Sequence, residues 1–176
     1  MIKYLQSEDY SEYFTTHITW ETKEEVYKWA KNIATGLKIV LIKLNSNRYR
    51  ITMVCERYGP EHPPPVNPLR SSYSKKCGCR FELLGCLTKK DPSLSKKDAI
   101  EQQRWILYVV EGRHNHTPPK TLDGNAFLGR MTPDEQLTVR RSGNARKTPS
   151  EIVEQLREEY PGNVTSAKQV DRKSVV

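Results

Sequence analysis

His114 and His116 stand two residues apart in the stretch "EGRHNHTPP", downstream of four cysteines, Cys55, Cys77, Cys79 and Cys86. Imidazole nitrogens and thiolate sulfurs together are the donors of tetrahedral metal sites. In a strand, residues i and i+2 face the same side, about 6.5–7 Å apart along the chain, so both rings can converge on one ion. Asn115 then points away, and Pro118-Pro119 end the strand beyond the pair. A closed site needs two further ligands. Cys55 ends one predicted strand, and the Cys77-x-Cys79 pair opens the next. One cysteine of that pair completes a Cys₂His₂ set, and the spacing alone leaves the choice open. Cys86 is expected to be a small buried residue. His62 is expected in a solvated loop, and His17 at the surface or in packing.

The elements that must position these residues follow from the pattern around them. "TKEEVYKWAKNIATG" predicts a helix. Thr22 and Glu25 form a capping box, Val26, Trp29, Ala30, Ile33 and Leu37 keep helical spacing, and Gly36 suits a left-handed stop. Two β-branched runs, residues 38–44 and 48–54, flank Asn45-Ser46-Asn47 and predict a hairpin. The proline-rich stretch from Glu56 to Lys76 predicts an exposed loop. "CGCRFELLGCL" predicts a third strand with Phe81 and Leu83 on its buried side. "TKKDPSLSKKDAIEQQ" is a polar excursion, and "RWILYVVEGRHNH" a fourth strand ending in the histidines. Further on, "MTPDEQ" and "KTPSEI" share Thr-Pro-x-Glu: a cap, a proline at the first helical position and an acid at the third. They predict two helices, with Ile152, Val153, Leu156 and Tyr160 as the buried face of the second. "TSAKQVDRK" suggests a third helix, and the three are a candidate helix-turn-helix unit.

Hydrophobic residues are 36% of the 176, which predicts a modest core and a small sheet that gains from a metal staple. No run is long and apolar enough for a membrane span, and the N-terminus carries no apolar leader. The expectation is an intracellular protein with reduced thiols and no membrane partner. The net charge of +8 is uneven. Residues 1–22 carry net −3, residues 23–120 nineteen Lys/Arg against nine acids, and residues 121–176 net +1. The excess lies in the segment that holds all four cysteines, and it favours a polyanionic partner.

The linked set "GLKIVLIKL", "YRITMVCERYG", "KKCGCRFELLG" and "RWILYVVEGRHNH" resembles the DNA-binding domain of the far-red-impaired-response family and the Mutator-like transposases, of the WRKY–GCM zinc-finger superfamily. The similarity covers roughly residues 13–120. It continues from "LDGNAFLGRMTPDEQ" through "NVTSAKQV", which is similar to the segment following this domain in many such transposases. The resemblance implies an α+β fold: a small zinc-bound antiparallel sheet preceded by a helix, with a short C-terminal all-α segment. Residues 1–12 would be a disordered N-terminus, 13–120 the zinc-binding domain, and 121–176 the helical segment. Zinc would be held by Cys55, Cys79, His114 and His116. The family motif places the ligand after the glycine, which selects Cys79 over Cys77. Arg80 stands where the motif usually has proline.

The resemblance also implies double-stranded DNA as partner and a nuclear location. In WRKY domains the strand before the first cysteine strand enters the major groove. Here that strand is "LKIVLIKL", with Lys38, Lys43, Asn45, Asn47, Arg48 and Arg50 as polar contacts. Lys75, Lys76 and Arg80 are further phosphate candidates. The apolar run from Ile39 to Ile42 is better suited to a core than to a groove. "HNH" invites a metal-dependent nuclease, yet the triplet is contiguous, and a Cys₂His₂ site has no vacancy for water. In the resembling transposases, cleavage belongs to a separate, acidic, C-terminal domain. The chain is therefore expected to bind rather than cut, as a regulator or as the N-terminal fragment of a transposase. The C-terminal helices are a candidate surface for a protein partner.

Overall fold

The computed structural model describes residues 8–61, 74–90 and 92–171. The chain divides into two compact units, Met1–Pro118 and Pro119–Val176. The fold class is α+β. Among the described residues there are two antiparallel sheets and six helices.

In the first unit, α2 (Lys23–Gly36) follows β1 (Glu8–Asp9) and α1 (Ser11–Phe14). Thr22 caps α2 through the expected box with Glu25. The stop differs from expectation: Gly36 stays helical, and the left-handed residue is Lys38, at φ 59°. The Ile39 N–H then reaches the Ala34 carbonyl at 2.7 Å and the Lys38 N–H the Thr35 carbonyl at 3.0 Å, a Schellman closure.

Four strands follow: β2 (Leu41–Ser46), β3 (Arg50–Cys55), β4 (Glu82–Leu87) and β5 (Trp105–Glu111), in sheet order β2-β3-β4-β5. The first hairpin turns later than predicted. The β2–β3 register shifts between Lys43 and Asn45, and the turn lies at Asn47–Tyr49. The Asn47 Oδ1 accepts the Tyr49 and Arg50 N–H groups, each at 2.8 Å, so the side chain itself fixes the turn. The polar excursion contains a short helix that the sequence pattern did not predict, α3 (Lys96–Glu101), capped by Ser95.

Register assigns the sheet's faces. Ile51, Gly85 and Leu107 form one cross-strand row, and Met53, Leu83 and Val109 the next. The first row meets α2: a Cβ on Gly85 would lie 2.6 Å from the Ile51 Cγ2 and 3.2 Å from the Val26 Cγ1. Only a residue without a side chain lets the helix sit this close. Phe14, Trp20, Val26, Ala30, Leu41, Phe81 and Trp105 join this core. Trp20 is tied to Trp105 by reciprocal backbone bonds of 3.0 and 2.7 Å. Trp29 is partly buried against Trp20, with ring centroids 5.4 Å apart.

Two expectations fail near the ends of this unit. Residues 8–12 are not disordered but form β1 and the start of α1; residues 1–7 lie outside the described residues. The last strand does not run on to His116. It breaks at Gly112, and a separate β6 (Arg113–His114) pairs with β1, Glu8 opposite His114 and Asp9 opposite Arg113. Most of the predicted proline-rich loop, with His62, lies outside the described residues.

In the second unit, α4 (Pro133–Asn144) and α5 (Pro149–Glu159) each begin at the predicted Thr-Pro-x-Glu, with Thr132–Glu135 and Thr148–Glu151 boxes. With α6 (Ala167–Asp171) they enclose Met131, Val139, Ile152, Val153, Leu156 and Val170, with Tyr160 packed against them. Residues 172 and 173 of the suggested third helix are outside the described residues.

Candidate metal centre

At the end of β3, Cys55 faces the segment that leads into β4. The Cys77 and Cys79 N–H groups donate to the Arg57 carbonyl at 3.1 and 3.3 Å, and the Gly78 N–H to the Gly59 carbonyl at 2.8 Å. Gly78 stands at φ 71°, the left-handed conformation that glycine adopts without strain. This turn sets the two cysteines of the pair apart. The Cys79 sulfur faces the His114 Nδ1 at 3.4 Å, whereas the Cys77 sulfur lies 3.5 Å from the Asn115 Oδ1. Asn115 in turn donates to the Cys77 carbonyl at 2.8 Å.

The break at Gly112 brings in the histidines. A Cβ there would meet the Ser11 Oγ at 2.0 Å and the Ser11 N at 2.7 Å, so glycine is required for the N-terminal segment to close down. Tyr10 donates its N–H to the Gly112 carbonyl at 2.9 Å. His114 is then enclosed: Phe81 stacks on it at 4.3 Å between centroids, and Tyr10 meets it edge-on at 5.4 Å. His116 lies beyond the strand in a bend, and its ring stands nearly perpendicular to His114, centroids 5.0 Å apart.

Four donor atoms converge here: the sulfurs of Cys55 and Cys79, the His114 Nδ1 and the His116 Nε2, all within 4.8 Å of one another. Cys55, Cys79 and His114 are buried and His116 is half-buried. The arrangement is a candidate metal site. The Cys55 sulfur lies 3.3 Å from the His116 Nε2, and the two imidazole nitrogens are 3.3 Å apart.

The surroundings favour a cation in the middle. The His116 Nδ1 donates to the Thr117 carbonyl at 3.2 Å, which fixes the tautomer and leaves the Nε2 lone pair facing the cluster. The Arg57 N–H donates to the Cys55 sulfur at 3.4 Å, and the Phe81 N–H supports the Cys79 sulfur in the same way. Cys79 is pushed down to about 2, first by its hydrogen bond with Cys55 and then, against burial, by His114 and His116. Cys55 moves the other way, through that same bond with Cys79 and through burial. The two thiols are thus coupled through that bond, and a cation between them would compete with the proton. His114 lacks the support that Thr117 gives His116: its Nε2 is buried with no hydrogen-bond partner among the described residues, a deficit of about 1–3 kcal/mol.

The remaining candidates fall elsewhere. Cys86 is half-buried rather than buried, on the sheet face away from α2. His17 is exposed. Lys38, Lys43, Asn45, Asn47, Arg48 and Arg50 are all exposed, as are Lys75, Lys76 and Arg80. Not all are equally available. The Asn47 carbonyl oxygen is engaged in the turn, Lys75 pairs with Glu56 at 3.2 Å, and the Lys43 ammonium sits 4.2 Å from the centre of the Tyr27 ring. Ile39, Val40 and Leu41 are buried, so the apolar run belongs to the core. Sequence pattern missed Tyr10 and Phe81 as the walls around His114. An aromatic beside a candidate ligand is the signal that marks Phe81; nothing local marks Tyr10.

Among the described residues no helix is long and apolar enough to cross a membrane. Neither family models, nor curated proteins, nor solved structures show a match to this chain.

Proposed function

We propose that the first unit is a zinc-stabilised module that binds double-stranded DNA, related to the WRKY–GCM zinc fingers of the far-red-impaired-response family and Mutator-like transposases. The convergence of Cys55, Cys79, His114 and His116 carries this proposal. In a tetrahedral zinc site, bonds of about 2.0–2.1 Å to nitrogen and 2.3 Å to sulfur put donors about 3.3–3.6 Å apart along N–N and N–S edges. The nitrogens here are 3.3 Å apart, and two N–S edges measure 3.3 and 3.4 Å. The donor set therefore fits the ion. Zinc would supply folding energy by tying β3, the Cys77–Cys79 turn and β6 together. Four protein ligands leave no position for water, which supports a structural ion and argues against a nuclease.

The partner follows from charge. Lys38, Lys43, Arg48 and Arg50 are exposed on and around β2, an edge strand, within a segment of net +10. Such a surface neutralises phosphates, and Asn45 is available to a base edge. A nuclear role in transcription regulation, or in DNA transposition as part of a longer transposase, is consistent with this chemistry. The C-terminal helices remain a candidate surface for a protein partner.

Duplex binding by zinc-loaded protein tests the proposal. Affinity for a random duplex pool should fall steeply with salt. Lys38, Lys43 and Arg48 changed together to Ala should flatten that slope by about 0.9 for each phosphate no longer neutralised. Absence of duplex binding at low ionic strength ends the proposal.

A further inference from the structure

The sheet has a second face, turned away from α2: Val54 is buried on it near the Cys55 end, whereas Arg50, Tyr108 and Val110 are exposed. Its rows follow from register: Arg50, Cys86 and Ile106 in one, Thr52, Leu84 and Tyr108 in the next. At the end of the sheet where β3 begins, this face opens into a groove of about 730 Å³. Ile106 and Cys86 lie in it, Tyr49 and Tyr108 bring aromatic rings, and Arg50, Lys89 and Lys90 bring positive charge. Both tyrosines are more than half exposed, at 56% and 52%. No acidic residue is among those described as lining the groove, and its three cations form no ion pair among the described residues. The Arg48 guanidinium lies 5.6 Å from the centre of the Tyr49 ring, adding charge beside the aromatic surface.

Two exposed rings flanked by cations that form no ion pair among the described residues are what a base and its phosphates require. Stacking takes the flat face of any base, and the cations take the backbone. An acidic peptide would satisfy the cations but leave the rings unused. A duplex keeps its bases stacked on one another and cannot offer a face to either tyrosine.

We infer that this groove binds single-stranded nucleic acid, with unpaired bases stacking on Tyr49 and Tyr108 and phosphates held by Arg50, Lys89 and Lys90. The site is separate from the metal centre. The groove lies at the Arg50 end of β3 and Cys55 at the other, about 17 Å along the strand. It shares Arg50 with the proposed duplex surface, but stacking on Tyr49 and Tyr108 does not depend on duplex recognition.

The experiment is fluorescence anisotropy of the full, zinc-loaded chain with labelled oligo(dT) and, in parallel, a labelled duplex. Tyr108→Ala should weaken oligo(dT) binding about fivefold or more, while Tyr108→Phe, which keeps the ring, should stay near the parent value. Duplex affinity should be little changed by either. Lys89→Glu with Lys90→Glu, at exposed positions beyond β4, should weaken oligo(dT) binding as well and serves if Tyr108→Ala is poorly folded. Unchanged oligo(dT) affinity in Tyr108→Ala, or in the double lysine variant where that replaces it, overturns the inference; so does a loss confined to the lysine variant. Equal losses on oligo(dT) and duplex overturn it too, because the groove would then belong to the duplex interface. Oligo(dT) binding without duplex binding, lost in Tyr108→Ala, keeps the inference and ends the duplex proposal. Duplex binding without oligo(dT) binding does the reverse.

Discussion

Cys77 and Cys79 differ by two positions and by almost everything else. The Gly78 turn sends one sulfur toward Asn115 and the other toward His114. Cys79→Ala should therefore abolish stoichiometric metal, and Cys77→Ala should retain it, as read by metal content of the purified variants. Retention in Cys79→Ala with loss in Cys77→Ala would invert the ligand set. Protons give a second prediction. Cys55 is pushed above the ordinary thiol range by its bond to Cys79, so its proton is present at neutral pH and must leave when metal binds. The same bond pushes Cys79 the other way, below the ordinary thiol range. Apparent metal affinity should rise with pH through neutrality, by about tenfold per unit for the one thiol proton, in a competition corrected for the chelator's own protonation. A flat profile would show that the pair carries no such proton. Residue types and spacing nominated Cys55, His114, His116 and the Cys77–Cys79 pair, and the family resemblance selected Cys79 from that pair. Spacing did not choose between Cys77 and Cys79, because that choice depends on a turn conformation that both residues share.

Short elements with distant partners were the least legible part of the fold. β1 pairs with β6 across more than a hundred residues, and no local period marks either strand. The break at Gly112 looked like the middle of one strand, since a glycine there is also compatible with an extended run. Gly112→Ala should push the Ser11 backbone away, loosen Tyr10 from His114 and lower both thermal stability and metal retention. The expected loss is about 1–3 kcal/mol, measured by denaturant unfolding. Wild-type stability in this variant would mean the N-terminal segment is not seated there. At the end of α2, capping chemistry predicted the start well, but glycine was the wrong guide to the stop. Lys38 holds the left-handed position, so Lys38→Gly should stabilise the unit by about 0.5–1 kcal/mol while removing one candidate phosphate ligand. Stability and duplex affinity should move in opposite directions. The first hairpin's turn was displaced by a register shift in β2 and by the Asn47 side chain, features that alternation of residue types does not encode.

For the molecule as a whole, the sequence pattern separated a basic, cysteine-bearing part from a capped helical part, and the structure divides into units at Pro118 and Pro119. The first unit packs a four-stranded sheet against α2, and β1, the Cys77–Cys79 turn and β6 meet its core only through contacts distant in sequence. Such a core gains disproportionately from a metal that joins segments far apart in the chain. We propose that Cys55, Cys79, His114 and His116 hold one structural zinc ion. Metal analysis of purified protein before and after chelation, with circular dichroism of the same samples, tests it most directly. One zinc per chain is expected, with chelation removing it and loosening the sheet, and zinc alone restoring the fold. A metal-free chain that keeps its sheet and its thermal transition unchanged would contradict it.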